Sequence, residues 1–196
     1  VNLLWRTILH FWMSKRAHRR DTDGLHPYDV FSTSYRVLPT DIDYLGHLNN
    51  GRYLSIADLG RFDMLIRSGL WAEMQRLGWY PVVQSLTISY RKSLLPWKKF
   101  DVETRFMGFD DRAVYVEQRF VYEGEIYARL HMKGRFLKRA GGHVSVEEIR
   151  QLAGDPRDDS QIEGWIHSWA SDVALPSVKS PAPSIWDASD RPVHRR

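Results

Sequence analysis

Three successive runs between residues 100 and 136 alternate side chains with a period of two, and no other feature of the chain constrains its fold as tightly. Phe100, Val102, Thr104 and Phe106 alternate with Asp101, Glu103, Arg105 and Met107. Val114, Val116, Gln118, Phe120 and Tyr122 form a second set, and Ile126, Ala128, Leu130, Met132, Gly134 and Phe136 a third. A period of two puts alternate side chains on opposite faces of a strand. Glu123-Gly124, between the second and third runs, reads as a hairpin turn. A β-rich run at 82–90, closed off by Pro96, and an extended run at 30–38, ending before Pro39, add two more strands. Between those two the period changes. Over 52–70, Tyr53, Ile56, Leu59, Asp63, Ile66 and Leu70 fall three or four apart, with Gly69 near the end, which predicts one long helix. The order is strand, helix, then four strands joined by short connections, and short connections predict that consecutive strands are antiparallel neighbours. A sheet must cover its apolar face, and the long helix is the available cover. The fold class is therefore α+β, an antiparallel sheet wrapped around one central helix.

Two shorter helices follow. Ser145 opens S-V-E-E, a capping-box pattern, and Ile162, Trp165, Ile166 and Trp169 mark a helical face that needs a packing partner. Four of the nine prolines (Pro176, Pro181, Pro183, Pro192) fall among serines and charges at the end, which reads as a disordered tail. The division is residues 1–28 as a basic amphipathic helix and linker, 29–154 as the folded domain, and 155–196 as an extension.

Charge separates the same parts. The net +4 conceals a charge of +5 in residues 1–20, from Arg6, Lys15, Arg16, Arg19 and Arg20. The rest is nearly neutral, without the basic stripe by which a nucleic-acid binder docks, so nucleic acid is excluded as a partner. With no cysteine, disulfides, thiolate metal sites and a cysteine nucleophile are excluded together. Such usage fits a reducing, cytoplasmic setting. Residues 1–13 are too short for a transmembrane helix. They are also a poor signal peptide, because their charge follows the apolar stretch. Leu4, Ile8, Phe11 and Trp12 recur at helical spacing. The segment reads either as an amphipathic helix on the anionic inner face of a membrane or as a helix packed on its own domain or a dimer partner.

The densest polar segment, Asp41 to Tyr53, lies where the first strand hands over to the long helix. A helix N-terminus offers unpaired N–H groups and a partial positive charge to a developing oxyanion. Gly46 lets a substrate approach the backbone, and a nearby carboxylate can activate water or attack a carbonyl itself. Asp41, Asp43, Asn49 and Asn50 are also ordinary turn and cap residues, and His47 alone is an ordinary structural histidine. The chain has no G-x-S-x-G elbow, P-loop, dinucleotide fingerprint or H-E-x-x-H metal motif.

In the segment D-I-D-Y-L-G-H-L-N-N-G-R-Y, Asp43 precedes Gly46 by three residues and Tyr53 by ten. That spacing resembles the motif of hotdog-fold acyl-CoA thioesterases of the 4-hydroxybenzoyl-CoA thioesterase type. The wording G-H-L-N-N-G-R-Y-L, the lead-in P-T-D-I-D and the helix D-L-G-R-F-D more closely resemble the thioesterase-superfamily-member-six-like branch. The resemblance covers roughly residues 29–140. It implies a hotdog fold, hydrolysis of an acyl-CoA thioester without a cofactor or metal, and assembly as a homodimer or higher homo-oligomer. Asp43 is then the carboxylate, as nucleophile or general base, with backbone N–H groups of Gly46 to Leu48 polarising the thioester carbonyl. His47 lies in the same turn, Asn49 or Asn50 orients water or caps the helix, and Tyr53 lines the site. Arg91, Lys92, Lys98 and Arg135 are candidates for the phosphates of coenzyme A, and Trp71, Trp79, Phe62 and Met64 for an acyl pocket. Asp58 and Arg61, three apart, read as a local ion pair. Hotdog hydratases, with Asp and His five apart around Asn-Pro, fit less well: Asp43 to His47 is four, and Asn-Pro is absent. The rival function is a non-catalytic hotdog module that binds acyl chains or lipid at a membrane surface.

Overall fold

The structure, a computed structural model, describes residues 2–18, 25–111, 113–155 and 162–184. The cations Arg19 and Arg20 and the end of the expected tail, with Pro192, lie outside the described residues. In chain order the elements are α1 (Asn2–His18), β1 (Val30–Arg36), α2 (Asn50–Arg67), α3 (Leu70–Arg76), β2 (Trp79–Tyr90), β3 (Lys99–Phe109), β4 (Val114–Tyr122), β5 (Glu125–Lys138), α4 (Val146–Ala153) and α5 (Gly164–Asp172). Among the described residues no helix is long and apolar enough to cross a membrane.

The five strands form one antiparallel sheet in the order β1-β3-β4-β5-β2. The Glu123-Gly124 turn has both residues at positive φ (50° and 75°), the two-residue hairpin geometry that matches strand twist. One expectation is corrected. β2 and β3 are consecutive but not neighbours: β2 pairs with β5 at one edge, while β3 pairs with β1 and β4. The connection at 91–98 is long enough to cross the end of the sheet, and it is tied down along the way. Arg91 N–H donates to Tyr127 O at 2.8 Å, Leu48 N–H to Leu94 O at 2.8 Å and Trp97 N–H to Val37 O at 2.9 Å. Leu94 is buried there. A continuous helix to residue 70 is also corrected. α2 stops at Arg67, Gly69 turns left-handed at φ 78°, and α3 starts a new axis that periodicity alone merges with the first.

α2 fills the inner side of the sheet. Its buried Tyr53, Ile56, Leu59, Met64 and Leu65 join Phe31, Phe100, Val102, Phe106, Phe120, Leu130 and Met132 in one core. At its middle the contact is polar. Gln118 Nε2 donates to Ala57 O and to Thr104 Oγ1, both at 2.9 Å, while Arg61 Nη1 donates to Gln118 Oε1 at 2.5 Å and Nη2 pairs with Asp58. Buried polar groups so satisfied fix the register of helix on sheet. α1 lies on the other side of α2. Asp63, buried, accepts from Ser14 Oγ at 2.6 Å and Thr33 Oγ1 at 2.7 Å, and pairs with Arg67 at 3.3 Å. Trp5 is 68% exposed, and Ile8, Leu9, Trp12 and Met13 are exposed with it.

α4 begins with the capping box read from the sequence: Glu148 N–H donates to Ser145 Oγ, and Glu148 Oε2 accepts from Ser145 N–H. It packs Ile149 and Ala153 into the main core. α5 lies over a second cluster, with Ile166 and Ala170 on Met107, Ala113 and Tyr115. Between α2, α3, α4 and the sheet runs an apolar cavity of about 130 Å³. At about 24 cal/mol per Å³, a hollow of that size forgoes about 3 kcal/mol of packing.

Gly60 sits where α2 comes nearest the sheet. A Cβ there would stand 3.0 Å from Gln118 Nε2 and Thr104 Oγ1 and 3.1 Å from Val102 Cγ1. Gln118 is held by three hydrogen bonds and cannot swing away. Gly60→Ala is therefore expected to cost about 1–3 kcal/mol, the usual range for overpacking. Urea unfolding checks this; an unchanged midpoint would show that α2 can lift off the sheet freely.

Candidate active site

The turn before α2 is built by its own aspartates. Asp41, only 2% exposed, accepts from Leu38 N–H at 3.0 Å through Oδ2, while its carbonyl accepts from Asn49 N–H at 2.9 Å. Its role is structural. Asp43 N–H donates to His47 O and Gly46 N–H to Asp43 O, both at 3.0 Å, closing a tight loop. That loop requires φ 81° at Gly46, a conformation that suits glycine, and a Cβ placed there would meet nothing within 4 Å. The backbone is thus open at that point.

Asp43 is mostly shielded. Its Oδ1 accepts from Leu45 N–H at 2.9 Å, and its Oδ2 lies 3.6 Å from His47 Nδ1. Asn49 is the N-cap of α2, its Oδ1 accepting from Gly51 N–H at 2.9 Å, and Asn50 is the first helical residue. Asn50 O accepts from Tyr90 Oη at 3.2 Å. One turn on, Tyr53 is buried, with its ring edge-on to Tyr90 at 5.1 Å and to Phe120 at 4.9 Å. Burial pushes its hydroxyl up to about 12, against a lowering hydrogen bond from the Leu94 backbone.

The six residues singled out in the sequence, Asp43, Gly46, His47, Asn49, Asn50 and Tyr53, are brought together at one end of α2. A polar cleft of about 250 Å³ opens there, lined by His47, Asn50, Tyr53, Tyr90, Arg91 and Lys92. The expected backbone donors need correction. Gly46 N–H is taken by Asp43 O and Leu48 N–H by Leu94 O, because the turn closes on itself and on the 91–98 connection. In the first turn of α2, Asn49 takes Gly51 N–H through Oδ1 and Arg52 N–H through its carbonyl, so the N–H groups that these hydrogen bonds leave out are those of His47 and Asn50.

Among the basic candidates, Arg91 and Lys92 border the cleft and share Glu125 as a partner. Lys98 stands close by: its Nζ donates to Tyr122 Oη at 2.8 Å, Tyr122 lies edge-on to Tyr127 at 5.4 Å, and Lys92 sits over the Tyr127 ring at 5.6 Å. Arg135 is not brought to this group. It lies toward the far end of β5, ten residues beyond Glu125, beside Asp110, Asp111 and His143. Sequence reasoning missed Tyr90 and Leu94. An aromatic ending a β-run just before Arg91-Lys92 was the available signal for the first. Nothing in the pattern marked Leu94, whose part is played by its backbone. Phe62 and Met64 line the apolar cavity further along α2, and Trp71 stacks edge-on against Phe62 at 5.4 Å. Trp79 is part of the core.

A shielded carboxylate, a histidine within 4 Å of it and the N-terminal turn of a helix can together polarise a carbonyl and deliver water or an oxygen nucleophile to it. The chain resembles known proteins over much of its length. The family model described as the Thioesterase-like superfamily matches residues 37–173. The chain is 52% identical over 132 residues to the protein THEM6 of Xenopus laevis, a match covering 66% of this chain and 64% of that one. The matched region thus spans just under two thirds of the relative's length. Among solved structures, the chain is similar to the probable thioesterase YbaW of Escherichia coli, at a TM-score of 0.59 and 20% identity over 63% of this chain and 96% of the other. It is also similar to a DHNA-CoA thioesterase from Staphylococcus aureus, at a TM-score of 0.53 and 18% identity over 73% and 90%. These two likenesses concern the hotdog fold.

Proposed function

The chain belongs to the thioesterase-like superfamily, and on that premise we propose that it hydrolyses an acyl-CoA thioester at the Asp43 turn. The observation that carries the reading is the shielded Asp43 carboxylate in the turn that leads into the N-terminus of α2. Oδ1 is held by Leu45 N–H, which leaves Oδ2 as the working oxygen. In the general-base form of the reaction, Oδ2 takes a proton from water as the water oxygen bonds to the thioester carbon. The carbonyl electron pair moves onto oxygen, where the N–H groups of His47 and Asn50 and the α2 dipole stabilise it. When the carbonyl re-forms, the C–S bond breaks, the electron pair leaves with sulfur, and Asp43 returns the proton to the CoA thiolate. In direct attack, Oδ2 bonds to the thioester carbon, the C–S bond breaks and CoA leaves as the thiolate. Water then cleaves the acyl-aspartyl anhydride to the free acid and Asp43, the proton released going to the thiolate, with the same N–H donors at the carbonyl oxygen.

Arg91 and Lys92 border the cleft and are the candidates for the phosphates of coenzyme A, with Lys98 next to them across the Tyr122 and Tyr127 rings. Phosphate would compete with Glu125 for the first two. β2 is a 12-residue edge strand with Tyr80, Val83 and Tyr90 exposed. Its unpaired backbone groups suit strand addition by a second copy, which supports the homodimer reading.

The same chemistry sets the test. Free-thiol release is measured from short, long and aromatic acyl-CoAs with wild type and Asp43→Asn. Wild type turns over at least one class, and the variant falls by about 10²- to 10⁴-fold, the usual contribution of a positioned base. Equal rates would remove Asp43 from the mechanism. Binding without thiol release by wild type would replace the hydrolase with the acyl-binding module.

A membrane role for α1 has a specific observation behind it: Trp5, Ile8, Leu9, Trp12 and Met13 are exposed although the helix is seated on α2. Aromatic and aliphatic side chains next to exposed Lys15 and Arg16 suit an anionic lipid surface. Deleting residues 1–20 is expected to abolish sedimentation with anionic liposomes; unchanged sedimentation would refute that role.

A further inference from the structure

An apolar cavity of the interior lies away from the Asp43 turn. The cavity beneath α4 is walled by carbon-rich side chains from every side: Phe62 and Leu65 of α2, Met74 of α3, Val116 and Met132 of the sheet, and Ile149 of α4. A hollow so lined stays dry and accepts hydrocarbon. Of the polar residues at its border, Asp58 and Arg61 neutralise each other, and Arg61 is tied to Gln118 as well. Asp58 is 57% exposed, so this pair lies where the cavity reaches the surface of α2. Arg135 also borders it, toward the outer cleft near Asp110.

Position gives the cavity its meaning. It and the polar cleft have two walling elements in common, α2 and β2. The cleft takes Asn50 and Tyr53 from the helix and Tyr90 from the strand. The cavity takes Asp58, Phe62, Val82 and Val83. From Asn50 to Phe62, α2 advances roughly 18 Å at 1.5 Å per residue. With C–C bonds of about 1.5 Å, an extended alkyl chain advances about 1.3 Å per carbon, so about 14 carbons cover that distance. Resting on the reading of the Asp43 turn as the thioester site, we propose that this cavity receives the far end of an unbranched acyl chain, which makes the substrate a long-chain acyl thioester. A short or single-ring acyl group held at Asp43 would stop well short of it.

α4 then sets the chain length. It follows the last strand and closes the cavity with Ile149, Leu152 and Ala153. Its first turn is fixed by the Ser145 box and by the Lys138–Glu148 ion pair at 2.8 Å. A larger side chain at Ala153 fills the cavity, and a smaller one at half-buried Leu152 deepens it without removing a core residue.

The test uses S-alkyl-CoA thioethers, which bind but cannot be hydrolysed, from hexyl to tetradecyl together with benzyl. Calorimetric titration of the full chain is combined with thiol release from the matching acyl-CoAs. Wild type is expected to bind tetradecyl-CoA at least about tenfold tighter than hexyl-CoA, since each buried methylene is worth up to roughly fourfold. Ala153→Phe should erase that gain and leave hexyl-CoA binding unchanged, while Leu152→Ala should move the optimum to longer chains. Equal binding of all lengths, or benzyl-CoA as the tightest ligand, would overturn the proposal. If Ala153→Phe does not fold, Leu152→Ala decides, and an unchanged length profile overturns the proposal. Length-dependent binding without thiol release would uphold the cavity and refute hydrolysis. Thiol release that ignores length would do the reverse.

Discussion

α2 is enclosed from two directions, by the sheet on one side and α1 on the other, and such a helix must satisfy each polar group it takes inside. Two clusters do this. Gln118 reaches from β4 to bond Ala57 O, Thr104 and Arg61, which locks the helix to the sheet at Gly60. On the opposite side, Asp63 gathers Ser14, Thr33 and Arg67, joining α1, β1 and α2 at one carboxylate. Leaving a partner of such a group unpaired in the interior costs more than the bond itself contributes. The axial position of α2 is thereby fixed, and both of its ends inherit that position.

At the N-terminal end, the fixed helix meets a turn that uses nearly all of its backbone groups on itself. Asp41 holds the turn from within, Gly46 lets it close, and Leu94 holds it from the connection between β2 and β3. What the turn leaves over is what the proposed chemistry requires: one carboxylate oxygen, the His47 and Asn50 N–H groups, and the dipole of a helix that cannot shift. Toward the other end, α3 and α4 close the cavity. In the proposed mechanism the helix is a ruler laid between a reacting carbonyl and a hydrocarbon terminus, rigid because its middle is pinned.

Much of this arrangement is legible in the chain itself. Alternation at 100–136 marks three strands because one face of each is buried. The 52–70 period marks the long helix for the same reason, and Ser145 and Glu148 announce the start of α4 through a local capping box. The Asp43 turn is legible as a turn and helix cap because Asp, Asn and Gly favour such local geometry, while its reading as a site comes from the family resemblance of its motif. Neighbourhood is not legible. That β2 skips past β3 to pair with β5 depends on how the 91–98 connection is tied to Val37, Leu48 and Tyr127, all distant in sequence. Charge alone groups Arg135 with Arg91 and Lys92, although the length of β5 separates them. Which N–H groups are left free at the turn also depends on Leu94, so the expected donors Gly46 and Leu48 prove to be occupied. Periodicity reports which face is buried, whereas these features depend on partners that periodicity does not name.

The central claim is that the reacting carbonyl stands at the Asp43 end of α2 and the acyl terminus at the other. A crystal structure with a non-hydrolysable tetradecyl-CoA ketone analogue tests it in one step. The ketone oxygen is expected within hydrogen-bond distance of the His47 or Asn50 N–H, its carbon beside Asp43 Oδ2, and the last carbons among Phe62, Met132 and Ile149. A ketone placed at Asp58 and Arg61 instead, with no part of the ligand near Asp43, would contradict it.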